Sequence, residues 1–421
     1  MNSDVSRIFA AQGLRAFVYG FGSVLLGASL EMRGWSAVQV GALLTAVVAG
    51  TALMSLALGT FGDRVGRRHW YAALFLGLSG SGIAFALSDD LWLLVLVALT
   101  GTLSTEVVES GPFTSLEQAM LPSGLGERAT TRVFGVYNAV ATLVGSAGAL
   151  AAGGPALLHD LWSSAPEDHR FFLVFVPVGI AGAALAWSLS ERVEAPRRAV
   201  RERVPLARSR SAVFRLSGLF AVDAFAGGFV IQSFIAYWFR AKFDLSLEVL
   251  GAIFFGVGLL QTASFLAATR LAERFGLLNT MVFTHLPSNV VLASIAFAPN
   301  LPAAVALLLA RQALSQMDVP TRQAYIALLV HPEERTAAAA YTNTARYLVR
   351  PLGPVLAGAS QQLALGLPFL LGGGIKIAYD VALWLWFRSV PLRTRAAPST
   401  PPEHGPPGTT QALQERSSDH L

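Results

Sequence analysis

The sequence predicts an all-α membrane protein with twelve transmembrane helices arranged as six plus six, and three observations carry that prediction. The 421 residues are 53% hydrophobic and only 14% charged, too little charge to cover the surface of a water-soluble domain. Apolar stretches long enough to cross a bilayer recur almost from end to end, and mean hydropathy is +0.53. The largest hydrophilic interruption, Glu191–Arg215, falls between the sixth and seventh stretches. A hydrocarbon core of ~30 Å needs ~20 apolar residues per helical crossing. Without water to satisfy backbone amides, only helices and closed barrels can span it. Barrel strands would be about 10 residues long with alternating polarity; these stretches are about twice that and apolar all round, so they read as helices.

Taken in order, the first six spans fall at about 8–30, 38–60, 70–88, 91–121, 131–155 and 171–190, forming a first bundle over residues 1–190. An Arg-rich linker, 191–211, follows. The second bundle, 212–390, has spans at about 212–239, 248–269, 279–298, 302–327, 336–361 and 368–388. Residues 391–421 are rich in Pro, Ser and Thr without apolar periodicity, so this tail is expected to be disordered. Hydrophilic segments with Arg7, Asp63–Arg68, Glu127–Arg132, the linker, Arg270–Arg274, His331–Arg335 and Arg393 lie on one side. The opposite side, with Asp89–Asp90, His159–Arg170, Arg240–Glu248 and Pro299–Asn300, is poorer in Arg. The positive-inside rule therefore predicts cytoplasmic termini and a cytoplasmic linker. The first apolar stretch is long enough to span and has no small-residue cleavage pattern after it, unlike a secretory signal.

The halves echo each other. The fourth span carries Pro112, followed by Glu127-Arg128; the tenth carries Pro320, followed by Glu334-Arg335. Gly145-Ser146-Ala147-Gly148 parallels Leu352-Gly353-Pro354. Weak internal repetition of this kind accompanies transporters with a binding site between related halves.

Between the second and third spans the chain reads Gly59-Thr60-Phe61-Gly62-Asp63-Arg64-Val65-Gly66-Arg67-Arg68, with a weaker echo at Arg270-Leu271-Ala272-Glu273-Arg274-Phe275-Gly276. This resembles the signature of the major facilitator superfamily, G-x-L-a-D-R-x-G-R-K, at the place where that family carries it. The resemblance covers roughly residues 8–390. It implies two six-helix bundles around a central cavity and transport by alternating access. It also implies that Gly59, Asp63, Arg64, Gly66, Arg67 and Arg68 form a gating motif that holds the cytoplasmic side closed in the outward-facing state. Physically, Gly59 allows close helix approach, Asp63 suits a positive helix N-terminus, and the arginines can meet carboxylates or anionic lipid. The alternative is that Arg67 and Arg68 only set topology. The sequence departs from the drug–proton antiporters of that family, which usually carry an Arg in the fourth span: Leu91–Ala119 has none.

Ionisable residues within spans are costly and are candidate functional groups. In a continuous fourth helix, Glu106 and Glu117 would project within about 20° of each other and Glu109 about 60° away. Crowded carboxylates of this kind suit proton carriage, and the competing reading pairs them with arginines of other spans. Asp318 and Asp223 complete the proton-coupling candidates. Arg15, Arg311, Arg322, Arg346, Arg350, Asn343, Tyr137 and Asn138 are candidates for substrate contact or charge pairing. Arg322 and Asp318, four apart, are expected to pair along their helix. Arg is always charged and grips carboxylate or phosphate bidentately. Gln232, Gln261, His285, Phe225 and Trp238 are lesser candidates, and Lys376 and Asp380, four apart, are expected to pair.

No nucleotide-binding loop or H-E-x-x-H motif occurs, and the absence of Cys excludes thiolate ligands. The expected protein is a secondary transporter in the cell membrane, not an enzyme, with no cofactor or metal. Its expected partners are a small-molecule substrate, protons or another coupling ion, and the lipid bilayer, not nucleic acid; it is expected to be a monomer. Proton-coupled efflux of a small organic molecule leads. Uptake or exchange of an anion, or a non-transporting receptor or scaffold, are the alternatives.

Overall fold

The computed structural model describes residues 3–104, 106–107, 111–121, 127–166, 168–194, 206–331 and 334–390, with the backbone alone at 59–64, 127–135, 160, 269, 327 and 335–336. Glu109, most of the linker and the expected tail lie outside the described residues. The first bundle comprises α1 (Ser3–Met32), α2 (Ala37–Val65), α3 (Arg67–Leu87), α4 (Leu91–Ala98), α5 (Pro112–Met120), α6 (Glu127–Ala151), α7 (Gly154–Leu161) and α8 (Phe175–Trp187). The second comprises α9 (Arg210–Gly228), α10 (Gln232–Phe243), α11 (Leu247–Phe275), α12 (Leu277–Ser294), α13 (Leu301–Ser315), α14 (Asp318–Leu329), α15 (Arg335–Val349), α16 (Leu352–Leu363) and α17 (Leu367–Phe387). Together they form twelve transmembrane spans in two six-helix bundles, several spans being built from two helices in succession.

Nine spans among the described residues are long and apolar enough, by length and composition, to cross a membrane. The fourth, tenth and eleventh are not among them, and each of these three is interrupted near a charged residue. The fourth leaves the helix between α4 and α5, the tenth at Gln316-Met317, and the eleventh at Arg350-Pro351. Pro351 removes a backbone donor and crowds the preceding turn. In the fourth span, Gly101 (φ 72°) and Gly111 (φ 63°) turn the chain out of the helix and back. A Cβ at Gly101 would lie 2.3 Å from the Gly50 carbonyl oxygen, so glycine also permits the unwound stretch to lie on α2. The expectation of one continuous fourth helix is therefore corrected: Glu106 and Glu117 do not share a helix face, because Glu106 belongs to the unwound stretch and Glu117 to α5. Non-helical backbone at membrane depth survives where it is buried in protein or lines a cavity.

The bundles meet through α1 with α10, α2 with α16, and α6 with α11. The closest contacts lie on the side away from the chain termini. There Arg240 Nε donates to Glu31 Oε2 (2.9 Å) and the Tyr237 hydroxyl to the Trp35 carbonyl (3.2 Å). Gln232 Nε2 donates to Ser23 Oγ (2.7 Å), and the Val355 amide to Thr45 Oγ1 (3.1 Å). Backbones come so close that a Cβ on Gly358 would sit 2.1 Å from the Ala37 carbonyl oxygen. Small residues at such crossings are what helix association in lipid requires.

Candidate functional site

A cavity of about 190 Å³ lies between the bundles, lined by the unwound part of the fourth span, α6, α9, α11, α13, α14, the break in the eleventh span, and α17. Five of its lining side chains are fixed cations: Arg311, Arg322, Arg346, Arg350 and Lys376. Three are carboxylates: Glu106, Asp223 and Asp318. Gln232, Gln261 and Gln312 add neutral donors and acceptors.

Arg311 stands apart within this set. Its half-buried guanidinium has no hydrogen-bond or ion-pair partner among the described residues, and its Nε is buried without one. A charged group whose buried donor lacks a partner is costly, so this position suits an anion in the cavity. Arg350 Nη2 instead crosses to the other bundle and meets Glu106 Oε1 at 2.6 Å, with the two side chains 18% and 37% exposed. Arg346, one turn before Arg350, lines the same space.

Behind the cavity, the second bundle holds a connected set of charges. Lys376 Nζ reaches Asp223 Oδ1 at 2.5 Å. Arg322 Nη1 lies 3.1 Å from Asp318 Oδ2 and 3.7 Å from Asp223 Oδ2. Asp318 and Arg322 thus pair along α14. Lys376 and Asp380 do not pair: Lys376 turns to α9, while Asp380 takes His285 Nδ1 (2.8 Å) and Asn289 Nδ2 (2.8 Å) of α12. Spacing along α17 could not reveal these partners, which come from distant parts of the chain.

Glu117 and Arg15 occupy a different place. They are fully buried inside the first bundle and line neither cavity. Arg15 Nε and Nη2 grip the two oxygens of Glu117 at 3.1 and 2.8 Å. The Tyr71 hydroxyl donates to Oε1 (2.7 Å) and the Tyr137 hydroxyl to Oε2. Arg15 Nη1 also donates to the Val107 carbonyl (3.4 Å), which ties the knot to the unwound stretch. Tyr71 was not singled out from sequence; a tyrosine in an apolar helix carries no local sign of such a partner. Trp238 is buried in the core, and Phe225 packs against it.

A second cavity of about 430 Å³ lies toward the side of the termini, between α5, α6, α14 and α15. Asn138 and Asn343 line it, and Arg322 and Arg346 line both spaces. The route from the central cavity therefore continues toward the termini, whereas helix contacts close the opposite side. On the termini side, the described part of the signature loop is bonded to its own bundle and to the first residues of the linker. The Arg67 and Arg68 amides donate to Glu194 (2.6 and 3.2 Å), Arg67 Nη1 to the Ala119 carbonyl (2.9 Å), and Arg68 Nη1 to the Leu189 carbonyl (2.8 Å). Gly66, at φ 100°, makes the turn between α2 and α3. The side chains of Asp63 and Arg64 are outside the described set, as is Glu109.

Comparison with known proteins agrees with this architecture. The family model described as Major Facilitator Superfamily matches residues 8–354 and 219–418. The uncharacterized membrane protein YJR124C of Saccharomyces cerevisiae is 23% identical over 428 residues, covering 93% of this chain and 96% of its own. Among solved structures, a D-xylose-proton symporter superposes with a TM-score of 0.72 at 14% identity, covering 91% of this chain and 98% of its own. A bacterial homolog of the human lysosomal transporter Spinster, inward-facing and occupied, superposes with a TM-score of 0.70 at 16% identity, covering 93% and 98%.

Proposed function

The chain belongs to the Major Facilitator Superfamily, and from that premise we propose that this transporter moves a small organic anion by alternating access, coupled to protons. The observation that carries the substrate class is Arg311, a guanidinium facing the space between the bundles without a partner among the described residues. Its flat fork of donors matches a carboxylate or phosphate. Arg346 and Arg350 lie on the same cavity, and Glu106 on Arg350 shows how a carboxylate sits there. The titratable groups Glu106, Asp223, Asp318 and His285 line the cavity and support a proton as the coupling ion.

The proposed direction is export across the cell membrane, with both termini in the cytoplasm as the arginine distribution predicts. An anion leaving and a proton entering both move positive charge inward. An inside-negative potential favours each, by ~2.3 kcal/mol per charge per 100 mV. Coupling follows when proton and substrate bind the two conformations unequally. Glu106 would exchange with the substrate anion on Arg350, which loosens the tie between the bundles only while the cavity is occupied. The neighbouring arginines then hold the cargo during the transition.

Proteoliposomes carrying the protein test this reading. A panel of labelled carboxylates, phosphate esters, neutral sugars and amines is offered with and without a pH gradient. The expected result is gradient-dependent movement of an anion, reduced at least tenfold in Arg311→Gln and partly retained in Arg311→Lys. Transport of an uncharged or cationic compound that is indifferent to Arg311→Gln overturns the proposal.

A further inference from the structure

We infer that the coupling proton resides on the His285–Asp380 pair, and that its loss transfers Lys376 from Asp223 on α9 to Asp380 on its own helix. This rests on the proton-coupled reading above and names the proton's site within it.

The inference begins with a charge count. Asp318, Arg322, Asp223 and Lys376 form a chain of ion pairs in which two carboxylates meet two fixed cations. That set is balanced. Asp380, fully buried on α17, is left with His285 and Asn289 as its side-chain partners among the described residues. Neither is a fixed cation. Arg311, a further fixed cation on this cavity, makes no ion pair with Asp380 among the described residues, so at contact distance this carboxylate is compensated when the imidazole carries its second proton. Nδ1 is already used on Asp380 Oδ1, so the exchangeable proton sits on Nε2. With that proton the pair is neutral; without it, one buried negative charge remains.

The surroundings decide what the deprotonated pair does. From α17, Asp380, Lys376 and the Tyr379 ring, 6.0 Å away edge-on, face His285; α9 brings Asp223; α14 brings Asp318 and Arg322; α13 brings Arg311. Lys376 is the fixed cation one helical turn from Asp380, and residues four apart share a helix face. When Nε2 releases its proton to cavity water, Asp380 becomes the uncompensated anion and attracts Lys376. Asp223 then keeps only its longer contact with Arg322. The pairing that spacing along α17 suggests is thus assigned to the deprotonated state, and the observed Lys376–Asp223 contact to the protonated one.

The consequence is mechanical. The Lys376–Asp223 bond ties α17 to α9. The chain of α9 continues into α10, whose contact with α1 closes the side away from the termini. His285 and Lys376 both line the central cavity, so the proton enters and leaves through the same space as the substrate. Proton loss therefore releases the helix that carries the gate.

The chain has no cysteine, so spin labels can be placed at Ser36→Cys and Asp244→Cys, exposed positions on either side of the α1–α10 contact. Distances between the labels are read by electron–electron double resonance in nanodiscs without substrate. In the otherwise native chain the distribution is expected to change in a single transition as pH is raised. His285→Gln and Asp380→Asn should each abolish that change. His285→Lys, which supplies a fixed cation and keeps the pair balanced, should hold the acid-side distribution throughout. Glu106→Gln should retain the pH response. A native chain without a pH response, a native-like titration in His285→Lys, or loss of titration in Glu106→Gln alone overturns the inference. Arg311→Gln separates the two readings, because it should stop anion flux while leaving the pH-dependent distance change intact.

Discussion

Glu106 and Arg350 meet at 2.6 Å across the two bundles, and each sits where its own span leaves the helix. A continuous helix would commit its backbone amides and carbonyls to its own ladder and fix side-chain directions at its 3.6-residue period. The breaks free both side chains to point into the space between the halves, where discontinuous helices of transporters typically place their binding groups.

Removing this link should favour opening of the side away from the termini. Because Glu106 is 37% exposed, solvent limits the pair to ~1 kcal/mol. Glu106→Gln is therefore expected to raise about fivefold the rate at which a membrane-impermeant maleimide labels Ser23→Cys from that side. An unchanged rate would show that the pair does not hold the gate.

The Arg15–Glu117 knot should behave as a stability element. Glu117→Gln strands a guanidinium inside the first bundle and is expected to destabilise by ~3–5 kcal/mol. Tyr137→Phe removes one hydrogen bond and should cost about 1–3 kcal/mol. Thermal unfolding in detergent, followed by near-ultraviolet circular dichroism, checks both. Equal effects from the two substitutions would count against a central role for the ion pair.

Gly358 offers a steric test of the same gate. A Cβ there would lie 2.1 Å from the Ala37 carbonyl oxygen, so Gly358→Leu must push α16 away from α2. The expected outcome is faster labelling of Ser23→Cys without loss of the folded monodisperse protein on gel filtration. Unaltered labelling would mean that this contact yields without separating the bundles.

Glu334 gives a pH prediction outside the spans. Its carboxylate is held at about 2 by a hydrogen bond with the Ser209 side chain and by the backbone N–H groups of Ala207, Arg208 and Ser209, against the opposing effect of burial. The three amide contacts are 2.8, 2.7 and 2.9 Å. A depressed folded-state value means that the stabilisation is complete above the unfolded value of ~4.3 and is lost as pH falls toward 2. Melting temperature measured from pH 6 downward should fall more steeply for the native chain than for Glu334→Gln, the two curves converging at the acid end. Parallel curves would remove Glu334 from this role.

By itself the sequence determined the class, the twelve crossings and the division into halves, because a bilayer demands apolar length and no other local property imitates it. It also drew attention to most of the cavity's charges, since an ionised group in hydrocarbon is conspicuous wherever it occurs. Only the tertiary structure decided which charges meet. Glu106 finds Arg350 at a sequence distance of 244 residues, Arg15 finds Glu117 at 102, and Asp223 finds Lys376 at 153. Helical spacing compares residues along one helix, whereas a buried charge takes the nearest compensating group from any helix. The interruption of the fourth span was equally hidden, because Gly101 leaves the helix only in combination with the backbone of α2 that it rests upon.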